Sequence, residues 1–411
     1  METQELSRRC ASYLELLCEE IGERSVGSDG NRRATEFFEQ EISSASWKTE
    51  TREFDAIDWR EGGATLRADG DSFEVFASPY SRGCAVKAPL AAASSIQELE
   101  SLDARGAIIL LHGPIAAEQF MPKNFVFFNP EEHQRAILLL EGSGAAAIVC
   151  ATGRSSALAG GAYPFPLIED GDFDVPSVYM TDREGERLAP FIGKTVELES
   201  VSERVASRAR NVIARKGADA EGRIVVTAHI DAKKGTPGAI DNATGIIVLL
   251  LTARLLEDYR GNSQVEIVAL NGEDYYAVPG QMDYIAANDG NFETVLVNIN
   301  IDGAGYSKGL SAFSFFGLPD RIESVAREVL ARHPGIIEGP QWPQGDHSIF
   351  VQYGRPAIAV SSEWFIENMD AQDITHTPKD NPGIVDCGRV VEISRAVSML
   401  IDLLGQTRDP S

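Results

Sequence analysis

Residues 223–245 read RIVVTAHIDAKKGTPGAIDNATG, and residues 246–256 continue as IIVLLLTARLL. The first apolar run, RIVV, is short and β-branched, as in a buried strand, whereas the second has the length of a buried helix. Between them the chain places His229, Asp231 and Asp241, with a turn built around Pro237-Gly238. Strand, polar loop and helix in that order form the unit of an α/β sheet, where loops at the carboxyl ends of strands build the sites.

The same pattern recurs along the chain. Runs RIVVTAHID, QVEIVALNGED, VLVNINIDGAG and RPAIAVSS alternate with helices predicted over 245–259, 279–288, 320–333 and 346–353, and a helix over 386–405 closes the chain. Continuous Val/Ile/Leu strands between helices predict an α/β fold with a mixed, mostly parallel sheet sandwiched by helices. Upstream, Leu6, Cys10, Tyr13, Leu14, Leu17 and Ile21, then Ala34, Phe37, Phe38 and Ile42, fall at helical spacing, and Trp47, Thr49 and Thr51 alternate as in a strand. From about residue 56 short strands, glycines and small residues take over, and RGAIILLHG, EEHQRAILLLEGSGAAAIVCAT, VPSVYMTD and GERLAPFIGKTVELE read as strands with one or two short helices. This predicts a small α+β domain over 56–204, inserted into a larger one made of 1–55 and 205–411. A chain of 411 residues is long enough for two or three folding units.

The formal charge of −25, from 37 basic and 62 acidic residues, disfavours nucleic acid and anionic membrane as partners. Five scattered cysteines, none in a C-x-x-C pair, argue against a disulfide framework and for a reducing compartment. The first twenty residues lack an apolar signal core, and no run reaches the ~18 apolar residues of a membrane span. The expectation is a cytoplasmic protein.

The polar residues at the predicted strand ends carry the chemistry. His229 and Asp231 end one strand and Asp241 opens the following helix; Glu273 and Asp274 end the next strand, Asp302 ends VLVNINI, and His376 lies in the loop ITHTPKDNP. One Asp or His at such a place is usually a cap or a solvated turn residue; four loops that all carry them point to a shared site. Two histidines and three carboxylates suit zinc, with cobalt or manganese as substitutes. They are too many for a single catalytic zinc and fit a pair of ions about 3.5–4 Å apart with a shared carboxylate and water. Of Glu273 and Asp274, one then binds metal while the other takes a proton from the water.

The ordered motifs HID, GAIDNATG, NGED, NIDG, GDHSIF and HTPKD resemble the co-catalytic zinc exopeptidases, a family that includes bacterial leucyl aminopeptidases, glutamate carboxypeptidase II and glutaminyl cyclase. The resemblance covers roughly residues 1–55 and 205–405, and the segment between looks like a protease-associated domain, a lid-like insertion. It implies that His229 and Asp302 bind one metal, Asp274 and His376 the other, and Asp241 both. It further implies that Glu273 is the general base, that Asp231 accepts the second ring N–H of His229, and that the Asp241-Asn242 peptide bond is cis. The activity implied is that of an aminopeptidase acting on a peptide or small amide through two zinc ions; glutaminyl cyclase-like acyl transfer, carboxypeptidase or deacetylase action, and a binding module with a dead site are the alternatives.

Departures from the family pattern are Glu273-Asp274 in place of a Glu-Glu pair, Gly345 where serine is common, and GAGYSKG after Asp302. Asp346 and His347 are expected beside the site as substrate-contacting or supporting groups, and Tyr275, Tyr276 and the WPQ stretch at 342–344 as pocket or core aromatics. Arg355 and Lys379 are the candidate carboxylate anchors that a carboxypeptidase would need. The inserted domain is expected to cap the pocket or to mediate a homodimer.

Overall fold

The computed structural model describes residues 2–125, 127–154, 157–218 and 222–406. Its centre is a parallel run of strands, Ala357–Ser362, Val295–Ile301, Arg223–His229 and Gln264–Leu270, adjacent in that order. All four are almost wholly buried, which is why they read as unbroken Val/Ile/Leu runs instead of alternating ones. On one face lie the helices Thr3–Glu15, Asp29–Ser44, Thr244–Leu255 and Cys387–Gln406, joined through one large apolar core. Thr244–Leu255 is buried from Thr244 to Ala253, so it is apolar all round. Tyr284, Ile349 and Phe350, from the helices Pro279–Ala287 and His347–Gln352, cover the other face.

Beyond Ala357–Ser362 the sheet continues antiparallel to Ser311–Phe316, which pairs in parallel with Ile336–Glu338; neither strand was expected. A larger departure lies at residue 56. Instead of a switch to short strands, Lys48–Ala68 is one long strand, paired antiparallel with Thr195–Lys216 from Lys48 opposite Arg215 to Arg67 opposite Glu197, with a register shift between Glu61 and Gly63. Much of this ribbon is exposed, so no clean apolar alternation marks it in the sequence. Residues 56 and 204 both fall inside it.

The ribbon leads into a second sheet region. Cys84–Ala93 pairs with the ribbon, and Ile108–Leu111, Ala147–Thr152 and Ser177–Thr181 follow in parallel order. This region buries two apolar clusters of its own, drawn from residues 64–198. No described helix is long and apolar enough to cross a membrane.

Candidate metal centre

The four strand-end loops converge as the topology requires. Asp241 sits at their centre. Its Oδ1 lies 3.2 Å from His229 Nε2 and its Oδ2 lies 3.1 Å from His376 Nε2, so each carboxylate oxygen faces a different histidine. Asp302 Oδ1 is 3.7 Å from the same nitrogen of His229, and Asp274 Oδ1 is 3.1 Å from that of His376. Two ligand atoms at tetrahedral angles on one zinc stand roughly 3.4 Å apart, given bonds of about 2.0–2.1 Å. The observed separations straddle that value.

His229 Nε2 and one oxygen of Asp274 are buried without a hydrogen-bond partner, a state that native interiors avoid unless something else satisfies the atoms. One ligand atom each from His229, Asp241 and Asp274 lies within 4.8 Å of the others. Imidazole nitrogens and carboxylate oxygens are the donor set of zinc, so the residues present fit a metal there. Electrostatics point the same way. Burial works against charge on both histidines, yet the Asp241 and Asp302 carboxylates hold His229, and Asp274 and Asp241 hold His376, well above the ordinary imidazole pKa. Three carboxylates gathered on two imidazoles thus draw positive charge to this place, which a metal ion can supply in place of the imidazole protons.

The loop carrying Asp241 is held from outside the cage. Gly238 adopts φ +58°, and a Cβ there would stand 2.5 Å from the Ala232 side chain and 2.7 Å from the Asp241 carbonyl oxygen; no other residue allows the turn. Buried Arg24 donates to the carbonyls of Leu17, Ile230, Pro237 and Gly238. The buried carboxylate of Asp380 accepts the backbone N–H groups of Ile240 and Asp241, at 2.7 and 3.0 Å, and burial, with Asp241 beside it, pushes its pKa up to about 7. The Asp241-Asn242 bond is cis.

Asp231 behaves differently from the expectation. The Nδ1 of His229 faces the backbone carbonyl of Asp231 at 3.2 Å, while the carboxylate stands 3.8 Å away, too far for a hydrogen bond. That carboxylate instead accepts the N–H groups of Gly272 (2.6 Å), Glu273 (3.3 Å) and Asp274 (3.1 Å). It therefore shapes the loop that presents Glu273 and Asp274.

Glu273, half-buried, lines a cavity of about 480 Å³ beside Asp241, Asp274, Asp302 and His376. Its pKa is raised, mainly by burial; His229 opposes this and Asp274, Asp346 and Asp302 add to it. Tyr275 also lines the cavity, but its ring packs on Tyr80 and its hydroxyl donates to the Ala232 carbonyl. Asp346 is buried behind the wall, accepting from Gln281, which does line the cavity; burial pushes its carboxyl up to about 7. His347 does not reach the site: it is buried between the rings of Phe316 and Trp342, with Nε2 on the Trp342 carbonyl. Burial lowers its pKa to about 4. Arg355 donates to the carbonyl of Val295 at the opposite end of the sheet, and Lys379 is an exposed partner of Asp373, so neither expected anchor faces the cavity.

Residues 211–401, which supply every one of these five cage residues, match the sequence profile of peptidase family M28. This part of the chain is an M28 domain. The probable lipoprotein aminopeptidase LpqL of Mycobacterium tuberculosis is 25% identical over 279 residues, covering 65% of this chain and 52% of that protein. Aminopeptidase YwaD of Bacillus subtilis is 22% identical over 307 residues, covering 73% of this chain and 62% of its own length. The chain thus spans a little over half the length of these curated relatives. Among solved structures, the aminopeptidase from Aneurinibacillus sp. strain AM-1 superposes with a TM-score of 0.76 at 18% identity, over 100% of this chain and 96% of that one, a likeness of fold.

Asp380, within the M28 match, and Arg24, upstream of it, are the supports that sequence reasoning missed. Arg24 carries no motif, and Asp380 was visible only as the last letter of HTPKD. Arg24→Met is expected to strand buried carbonyl groups and cost roughly 2–4 kcal/mol. A fall in the urea midpoint of the chelator-treated protein checks it; an unchanged midpoint would mean the turn holds without the guanidinium.

Proposed function

We propose that this chain is a zinc-dependent aminopeptidase that hydrolyses the bond after a free N-terminal residue, with two ions held by His229, Asp302, Asp274, His376 and the shared Asp241. The observation that carries the reading is Asp241, whose two oxygens each address a different histidine. Supporting it, relatives of this chain are named aminopeptidases, and a solved neighbour is titled a zinc aminopeptidase. When bound, paired zinc ions would polarise the scissile carbonyl and acidify a water.

The chain's own groups divide the remaining work. Glu273 takes the proton of the attacking water and returns it to the departing amine; its raised pKa suits a group that must do both near neutrality. Asp231 fixes the loop that aims it. Of the carboxylates lining the cavity, Asp241, Asp274 and Asp302 are taken up by the ions and Glu169 by Lys233 at 2.7 Å, which leaves Glu273 as the carboxylate a substrate ammonium can meet. Lys233, the one Lys or Arg of the lining among the described residues, is thereby engaged, so no free side-chain cation is left there to anchor a C-terminal carboxylate.

The cavity wall of Phe120, Met121, Phe125, Phe127, Trp342 and Phe365 takes an apolar side chain. Burying a leucine there is worth roughly 1.5–3 kcal/mol, so leucyl substrates should exceed glycyl ones about 10- to 150-fold in kcat/KM. The test is a panel of free and N-acetylated aminoacyl amides and peptides, run with chelator and again after zinc is restored. Hydrolysis of free N-termini only, abolished by chelator and recovered with zinc, is the expected result. Cleavage from the C-terminus, or cyclisation of an N-terminal glutaminyl peptide without hydrolysis, would overturn the reading.

A further inference from the structure

The two halves of the cage are supported from different parts of the chain. His229 rests on the carbonyl of Asp231, and Asp302 is fixed by its backbone N–H on the Val360 carbonyl; both supports lie in the M28 domain. His376 is different. With Nε2 turned to Asp241 and Asp274, its Nδ1–H has the carbonyl of Ala159 as acceptor at 3.2 Å, and Ala159 belongs to the segment between the ribbon strands. The next residues close the contact: Gly161 N–H donates to the Thr375 carbonyl at 3.0 Å, and Gly160, at φ +61°, lies so close that a Cβ would stand 2.6 Å from His376 Nδ1.

A third tie reaches the second member of the same half. Glu169, 6% exposed and from the same segment, grips Lys233 at 2.7 Å, and the ammonium of Lys233 also donates to the backbone carbonyl of Asp274. His376 itself adopts φ +59°, a conformation that a non-glycine residue keeps only where its surroundings over-determine it. Those surroundings include Ala159–Gly161.

We propose that the inserted segment, through Ala159–Gly161 and Glu169, sets the zinc affinity of the Asp274–His376 half of the cage and not that of the His229–Asp302 half. Whether the chain holds one ion or two then depends on how that segment is seated. The inference rests on the two-ion reading of the cage. Ala159 and Glu169 are positioning groups: the first orients the imidazole and fixes its tautomer, the second holds the lysine that steadies the loop of Asp274. Loss of such supports typically weakens metal binding 10–100-fold.

The test is a zinc titration of the full chain, stripped by chelator, in competition with a chromophoric chelator, with zinc content measured by emission spectroscopy. The unsubstituted chain should bind two zinc ions. Gly160→Ala, which presses a methyl group on the imidazole, and Glu169→Gln, which removes charge without adding bulk, should each keep one tight ion and bind the second about 10–100-fold more weakly. Leu138→Ser, at an exposed site of the same segment, should titrate as the unsubstituted chain does. Two ions of unchanged affinity in Glu169→Gln and in a folded Gly160→Ala, or equal weakening of both, would overturn the assignment while leaving the two-ion cage standing. Fewer than two ions in the unsubstituted chain would remove the cage reading, and this inference with it.

Discussion

Asp241→Ala is expected to bring zinc content to background and to cost on the order of 10³-fold or more in turnover, since in the proposed two-ion site both ions would lose a ligand at once and the lost electrostatic stabilisation would amount to several kcal/mol. The fold should survive, because the turn is held by Arg24 and Asp380 through backbone groups and not by the Asp241 side chain. Asp241→Asn sharpens the test. An amide offers one oxygen where the carboxylate offers two, so the asparagine variant should keep a single ion. Elemental analysis of both proteins, alongside circular dichroism, checks the argument; full zinc occupancy in the alanine variant would show that Asp241 is no ligand.

Glu273→Gln tests the other half of the chemistry. Glutamine preserves shape but accepts no proton, so kcat should fall roughly 10²–10⁴-fold, the range for a lost general base. Zinc content should stay as it was, since Glu273 is not one of the cage residues facing the two histidines. KM is expected to change little. A variant that keeps full activity would exclude Glu273 as the base, and one that loses metal would recast it as a ligand. The pair of substitutions therefore separates holding the ions from moving the proton.

Asp241, before the following helix, and His376, in the loop ITHTPKDNP, were read from their motifs. His229, Asp274 and Asp302 were legible because each stands at or just past the carboxyl end of a strand whose apolar run is unmistakable, and strand ends in such sheets converge. The central helices were legible for the same reason. The supports were not. Arg24 and Asp380 act on backbone carbonyls and N–H groups, and Ala159 offers only its own carbonyl; such contacts depend on where the chain passes and leave no side-chain pattern to read. Asp231 was found as a residue and misjudged as a contact, because the spacing of HID says that its carboxylate is near His229 but not that three N–H groups of the next loop claim it first. His347 followed the motif and turned inward, between Phe316 and Trp342. The strand Ser311–Phe316 was overlooked since it follows the glycine-rich stretch after Asp302 and pairs antiparallel, outside the βα rhythm that guided the reading.

The ribbon Lys48–Ala68 with Thr195–Lys216 remains in register almost to its far end, where Arg67 stands opposite Glu197. Paired residues in antiparallel strands lie only about 4.5–5.5 Å apart, so the polypeptide leaves the hairpin and comes back to it at nearly the same point. In construction terms the 69–194 stretch replaces a tight turn. Cutting it away and rejoining the ends by a two-residue turn would remove the pairing of Cys84–Ala93 with the ribbon but keep both ribbon strands, yielding a shorter protein in which His376 must find a new acceptor.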